Sequence, residues 1–323
     1  MLRSVSVVIP VRNSESELSS CLEGLSYQTI KPNIIVADGG SKDGSLALAQ
    51  KYGCDVFTLA ISPSLRRNEA VNRTQDDIIG FLDSDAIPES RWLENALKRF
   101  DSDSSIGVVC GPNLTPPNTP LRAKVTGDVL STFLGAGISR ERWTKNGVHR
   151  TDERSSMLCN MFVKRSVFQS VNGFHKWFGG EENDLVQKIE DAGHKVVYDE
   201  NVVAYHQRVP VGKKFWKQTF VYSRGRGSML RRHSVNPFYF LPTVLVITDA
   251  VLLVFIPVAG LALLGTYFAA VGLTSLKLYH DNKYHSLKTF GHLLVSFFTI
   301  HVSYALGFPY GFISPNNGKE RGR

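Results

Sequence analysis

Cysteine is scarce in this chain of 323 residues, and Cys21, Cys54, Cys110 and Cys159 stand far apart with no Cys-x-x-Cys pair. That excludes a disulfide-stapled scaffold and a zinc ribbon, and suits reduced core residues of a cytoplasmic domain. No signal-peptide pattern precedes the first apolar run, Val5-Ser6-Val7-Val8-Ile9, so the sequons at Asn72 and Asn113 are expected to be accidental. Acidic residues are missing where basic ones crowd: residues 208–232 hold eight Lys/Arg and no Asp or Glu. Charge of either sign nearly vanishes after that, with Asp249 alone between residues 238 and 276. The net charge of +8 therefore does not describe a nucleic-acid patch. A basic run that leads directly into an apolar block marks the cytoplasmic face of a membrane. Neither a nucleic-acid partner nor an obligate protein partner is implied.

What is present begins with alternation. Residues 4–11, 34–37, 56–59, 78–82 and 106–110 read as short apolar strands. Between them, residues 15–27, 45–52, 66–72 and 92–100 read as helices, the first with Leu18, Cys21, Leu22 and Leu25 on one face. This pattern predicts an α/β fold, a mostly parallel sheet flanked by helices, whose ligands bind beyond the carboxyl ends of the strands. Prolines at 112, 116, 117 and 120 break the pattern, and residues 112–155 are expected to form a mobile insertion. Strand 157–163, helix 181–192 and short strands at 196–198 and 202–205 complete a domain expected to span residues 1–210.

Residues 211–236 interleave Phe215, Trp216 and Phe220 with Lys213, Lys214, Arg224 and Arg226, which predicts an amphipathic interfacial helix. The apolar block 238–276 is too long for one membrane span and suits two, turning at Pro257-Val258-Ala259-Gly260. Residues 291–312 are a third apolar stretch that either spans or is re-entrant or interfacial, within a membrane region expected over 237–323. Lysines 277, 283 and 288 place the intervening loop on the cytoplasmic side.

Carboxylates gather where such a sheet binds ligands. Asp83 and Asp85 follow the apolar run Ile78-Ile79-Gly80-Phe81-Leu82, well placed to hold a divalent cation that bridges the phosphates of a nucleotide. Three other motifs share the order: Val7-Val8-Ile9-Pro10-Val11-Arg12-Asn13, Val36-Ala37-Asp38-Gly39-Gly40-Ser41, and Gly179-Gly180-Glu181-Glu182-Asn183-Asp184. Together they resemble the family 2 glycosyltransferases, inverting enzymes of the GT-A fold, over roughly residues 4–210. The tail is most similar to that of the membrane-bound subgroup building exopolysaccharide and lipid-linked oligosaccharide.

The resemblance implies a nucleotide-diphosphate sugar as donor, UDP- or GDP-linked, and a lipid-linked polyprenyl acceptor. It implies donor contacts from Pro10, Val11, Arg12, Asn13, Asp38, Arg67, Asp83, Ser84 and Asp85. Mn2+ or Mg2+ would sit on Asp85 and Asp83, with His206 beside them. The general base falls at Glu182, with Glu181 and Asp184 as rivals, because Glu-Glu-Asn-Asp stands where the family has Glu-Asp-x-Asp. Lys213, Lys214, Arg224 and Arg226 would meet lipid phosphate. The Gln-x-x-Arg-Trp motif of processive relatives is absent from this sequence. The expected enzyme is thus a multi-pass membrane protein with its catalytic domain in the cytoplasm. Alternatives are a polyprenyl-phosphate sugar synthase, a nucleotidyltransferase, whose usual glycine-rich loop is missing after the first strand, and a non-catalytic membrane scaffold.

Overall fold

The computed structural model describes residues 4–175, 180–230 and 236–314. Gly179, Arg231, Arg232 and the basic tail at 319–323 lie outside the described residues. By packing, the chain divides into two units, one chiefly Met1–Pro116 with Glu141–Gln207, the other Pro117–Arg140 with Arg208–Asn316.

The first unit opens with β1 (Val5–Val11), α1 (Glu15–Ser26), β2 (Asn33–Asp38), α2 (Ser45–Lys51), β3 (Asp55–Thr58), α3 (Pro63–Asn72) and β4 (Ile78–Phe81). It continues through β5 (Ala86–Pro88), α4 (Trp92–Ser102), β6 (Ile106–Cys110) and β7 (Asn113–Leu114). Two helices, α5 (Leu121–Leu130) and α6 (Phe133–Ala136), then belong to the second unit. The chain returns with β8 (Val148–Thr151), β9 (Met161–Lys164), α7 (Arg165–Ser170), α8 (Glu181–Asp191), β10 (Lys195–Asp199) and β11 (Ala204–His206). The main sheet runs β3-β2-β1-β4-β9-β6-β10-β8, with β9 and β8 antiparallel to their neighbours. A small sheet, β5-β11-β7, stands beside it.

Alternation along the strands builds a core on each face. Val5, Val7, Ile9 and Val11 of β1 pack with Leu18, Leu22 and Leu25 of α1 and with Trp92, Leu93 and Phe100 of α4. Val8, Ile79 and Phe81 face the other way, toward Ala70 and Val71 of α3, Phe168 of α7, and Leu185 and Ile189 of α8. Both cores come from apolar stretches already visible in the sequence.

Residues 112–155, expected as a mobile insertion, carry regular elements. Prolines do break the alternation, yet Pro120 immediately precedes α5, and Val148–Thr151 pairs antiparallel with β10 at the sheet edge. Val125 and Val129 of α5 are buried against Phe215, Leu293 and Phe297 of the second unit. The expected strand at 157–163 is shorter, a 3-10 turn at Leu158–Asn160 leading into β9.

The second unit holds α9 (Lys213–Met229), α10 (Leu241–Phe255), α11 (Pro257–Asp281) and α12 (Leu287–Ile313). Three helical stretches, Pro237–Phe255, Pro257–Asp281 and Leu287–Ile313, are long and apolar enough to cross a membrane. Val246, Ile247, Val254, Phe255, Val258 and Leu261 are exposed along the first two, as lipid-facing residues would be. The break between them falls at Ile256, directly before Pro257, whose missing N–H suits the first helical position. The third apolar stretch is one continuous helix of 27 residues and not a re-entrant loop.

α9 falls in the stretch expected to be an interfacial helix. It packs parallel to the C-terminal half of α12, because small residues let the two backbones meet. Thr219 and Ser303 share a hydrogen bond, Ser223 Oγ donates to Tyr304 O at 2.8 Å, and Ser228 Oγ donates to Gly311 O at 3.1 Å. Arg224 donates to Ser314 O and lies over Tyr310, while Arg226 donates to Ser139 Oγ and lies over Tyr239, so the two guanidiniums serve separate protein partners. Lys213 and Lys214 are exposed at the start of the helix. A side chain at Gly227 would overlap the carbonyl oxygen of Phe308, whereas one at Gly265 meets nothing within 4 Å. Gly227→Leu is therefore expected to lower the melting temperature of the detergent-solubilised protein, and Gly265→Leu to leave it unchanged. Equal melting of the two variants would refute the close α9–α12 contact.

Candidate active site

The site is built where β1, β2 and β4 end. Past β1, Asn13 takes a left-handed conformation (φ 49°), its N–H donating to Ser41 Oγ at 2.9 Å and its Oδ1 accepting from Lys42 N at 2.8 Å. Past β2, the Asp38 carboxylate accepts from Gly40 N at 2.8 Å, from Ser41 N at 3.1 Å and from Ser41 Oγ at 2.5 Å. Gly40, at φ 89°, supplies the turn these bonds require. Burial opposes ionisation of Asp38, but the bonds from Ser41 and Gly40 outweigh it and hold its pKa below the ordinary value. Asp38 thus shapes the loop that Pro10, Val11, Arg12 and Asn13 adjoin.

Two consecutive arginines of α3 organise what lies beneath. Arg66, unremarked in the sequence, is buried and donates to Val11 O at 2.8 Å, the last carbonyl of β1, and to Ala37 O at 3.2 Å, the next-to-last of β2. Its guanidinium occupies the space a side chain at Gly39 would need. Arg67 turns to the other side. Its side chain, 6% exposed, donates to Asp83 Oδ1 at 2.8 Å and reaches Glu181 Oε1 at 3.8 Å. It joins the Asp83-Ser84-Asp85 turn to the start of α8.

That turn is tight, with Ala86 N donating to Asp83 O at 3.0 Å before β5 begins. In the small sheet His206 is opposite Ala86, and this register brings His206 Nε2 to 3.2 Å from Asp85 Oδ1. Asp83, Cys159 and His206 each place one donor atom within 4.8 Å of the others. Cys159 was read as a core residue, and nothing in its spacing marks it as part of the site. Behind the turn, burial and then the charges of Asp85 and Asp83 push the Cys21 thiol pKa well up. The neighbouring Asn160 accepts from Trp92 Nε1 at 2.7 Å and donates to Pro112 O and Val202 O, which fixes the floor on which Cys159 sits.

α8 begins after Gly180, itself left-handed, with Glu181, Glu182 and Asp184 in its first turn. Asp184 is buried toward Lys188 at 3.5 Å and His175 at 3.9 Å, on a different side of the helix from Glu182. Glu182 is partly exposed, 4.0 Å from the guanidinium of Arg142. Arg142, also missed, is held by Glu153 O, Arg154 O and Asn183 Oδ1. The structure thus gathers Asp83, Asp85, His206, Arg67 and Glu181, and keeps Glu182 one residue further along the same turn. Lys213, Lys214, Arg224 and Arg226 lie in the other unit. Carboxylates with an imidazole form a donor set that suits Mn2+, and the carboxylates alone suit Mg2+.

The Glycosyl transferase family 2 profile matches residues 6–168 of the chain. The chain belongs to that family. It is 25% identical, over 78% of its length and 83% of the relative's, to a dolichyl N-acetyl-alpha-D-glucosaminyl phosphate 3-beta-D-2,3-diacetamido-2,3-dideoxy-beta-D-glucuronosyltransferase of Methanococcus voltae. It is 24% identical, over 72% of its length and 71% of the relative's, to the succinoglycan biosynthesis protein ExoA of Rhizobium meliloti. Among solved structures, the mannosyltransferase PcManGT from Pyrobaculum calidifontis, in complex with GDP-Man and Mn2+, aligns with a TM-score of 0.57 at 16% identity. That alignment covers 94% of this chain and 87% of the other. The fold is GT-A, and the protein is a glycosyltransferase.

Removing the guanidinium that joins two carboxylates leaves both without their common partner. Arg67→Met is expected to destabilise the protein by about 3 kcal/mol, at the low end for a broken buried pair because Asp83 is partly exposed. A denaturant or thermal melt would measure it, and Arg67→Lys should recover part of the loss. At the far end of α8, burial and then the charge of Asp152 push the Glu190 pKa up to about 7 from 4.5. The folded protein then holds this proton more tightly than the unfolded chain, so the group's contribution is lost as pH rises from about 4.5 through about 7. Glu190→Gln should raise the melting temperature relative to the parent increasingly between about pH 5 and about pH 8. A constant difference across that range would contradict the assignment.

Proposed function

We propose that the protein is an inverting, metal-assisted glycosyltransferase that moves a sugar from a UDP- or GDP-linked donor to a polyprenyl-linked acceptor at the cytoplasmic face of a membrane. The observation that carries this reading is the Arg67 bridge. One guanidinium spans the Asp83 turn and the start of α8, so a donor diphosphate held at Asp83 and Asp85 would lie beside the helical turn that carries Glu181 and Glu182. Glu182 takes the proton of the acceptor hydroxyl as that oxygen bonds to C1. The C1–diphosphate bond breaks on the opposite face, the configuration inverts, and the nucleoside diphosphate leaves with the bonding electrons. Glu182 is favoured over Asp184 because Asp184 is committed to Lys188 and His175. Glu181 is favoured less because its side chain is the more buried of the two, 10% exposed against 20% for Glu182. Asp85, Asp83 and His206 would hold the divalent cation, which when bound neutralises the charge of the leaving diphosphate. The fold that carries GDP-Man and Mn2+ in the Pyrobaculum enzyme supports this cation class.

Two features support the membrane and the lipid acceptor. Three helices can cross a bilayer, and the basic residues 208–232 lie immediately before them. The Methanococcus relative is named for a dolichyl phosphate-linked substrate. Glu182→Gln should abolish transfer while keeping donor affinity, and Asp85→Ala should lose metal-dependent donor binding. Both are read by released nucleotide diphosphate and by thermal shift across a panel of nucleotide sugars with Mn2+ or Mg2+. Transfer at the parental rate by Glu182→Gln would move the base elsewhere. Chromatography of the lipid product separates a lengthened oligosaccharide from a polyprenyl-phosphate sugar.

A further inference from the structure

Cys159 stands out among the cysteines. It belongs to the one group of three His, Cys, Asp or Glu residues, among those described, whose donor atoms converge closely enough to hold a cation. The residue is buried on the 3-10 turn ahead of β9, and its thiol donates to Asn113 Oδ1 at 3.1 Å. Asn113 is itself fully buried. The sulfur, an Asp83 oxygen and a His206 nitrogen all lie within 4.8 Å of one another. His206 also stands 3.2 Å from Asp85, so the imidazole is shared between a carboxylate side and a thiol side.

We propose that Asp83, Cys159 and His206 form a mixed oxygen, sulfur and nitrogen site that takes thiophilic divalent cations, Zn2+ or Cd2+, in competition with the Mn2+ or Mg2+ used for transfer. Mg2+ keeps to oxygen ligands and gains nothing from a thiol. Zn2+ and Cd2+ take thiolate and imidazole readily, and three protein donors leave one coordination position open. On binding, the Cys159 S–H bond breaks, its proton passes to solvent, and the sulfur lone pair goes to the metal. Asn113 Oδ1 then loses its donor. An ion held by Cys159, Asp83 and His206 takes two of the donors proposed for the transfer cation. It therefore blocks the productive cation without replacing it. The inference rests on the proposed placement of the donor's cation at Asp83 and His206. Its readouts need no sugar transfer, so its failure and the failure of that reading can be told apart.

The test titrates Cd2+ into the full detergent-solubilised chain and follows the ultraviolet thiolate-to-cadmium charge-transfer band. One equivalent should develop the band, and excess Mn2+ should remove it. Cys159→Ser should lose the band and weaken Cd2+ binding at least about tenfold, the usual scale for a metal-site partner. Mn2+ binding, read by electron paramagnetic resonance, should fall far less. Cys21, Cys54 and Cys110 remain in that variant as internal controls. A band that survives Cys159→Ser would overturn the proposal. If neither Cys159→Ser nor Cys159→Ala folds, the wild-type competition decides alone. No band, or a band that Mn2+ cannot displace, would show that the converging donors do not form a shared site.

Discussion

Arg67 is the constraint around which the site is arranged. Asp83, Asp85, Glu181 and Glu182 bring like charges together at the end of one sheet, and like charges at short range repel by several kcal/mol wherever water is partly excluded. The buried guanidinium bonded to Asp83 and near Glu181 offsets that repulsion and sets the span between the two halves of the site. Its neighbour Arg66 is turned about 100° around the same helix. That rotation lets consecutive arginines serve different tasks. One closes the carbonyl ends of β1 and β2, and the other bridges two carboxylates. α3 therefore buries two cations in its first turns and few apolar side chains, and Pro63 fixes where it begins.

The second constraint is register. His206 reaches Asp85 because β11 pairs antiparallel with β5, Ala204 opposite Pro88 and His206 opposite Ala86. A slip of one residue would turn the imidazole to the other face of that sheet. Tyr205 shows the alternation, pointing its hydroxyl to Glu89 at 2.9 Å while His206 points to Asp85. Three residues of strand are enough, since Glu89 N to Val203 O and Gln207 N to Asp85 O extend the pairing at both ends.

Much of this was legible in the sequence. Apolar runs of strand length ending in polar motifs gave β1, β2, β4 and β6 nearly to the residue. Asp83 and Asp85 were singled out because they follow such a run, and Asp38, Arg67 and His206 because the resemblance marks their positions; the structure brings Arg67 to Asp83 and His206 to Asp85. Arg66, Arg142, Cys159 and Asn160 were not singled out. Each acts through contacts at long range in the chain: Arg142 meets Asn183, and Asn160 meets Trp92, Pro112 and Val202. No local period carries that information. β5, β7 and α7 escaped because elements of two to six residues have no measurable periodicity. The elements α5, α6 and β8 within 112–155 escaped for a related reason, since prolines at element boundaries look the same as prolines in a loop.

α9 carries a feature that its amphipathic pattern does not announce. Its aromatic and basic residues read as the two faces of a surface helix, and beside Phe215 and Met229 it also buries the small residues Thr219, Ser223, Gly225, Gly227 and Ser228. α12 is long and apolar enough to cross a membrane, and where a helix faces acyl chains apolar burial gives little preference for protein over lipid. Association then depends on close backbone approach and on hydroxyl bonds across the contact. α9 and α12 have both, with Gly227, Gly307 and Gly311 at the crossing and Thr219, Ser223 and Ser228 bonded across it. A helix meant only to float at an interface needs neither feature. The small residues of α9 are therefore read as a fixed attachment to an apolar helix, and its basic residues as side chains carried at a set position by that attachment.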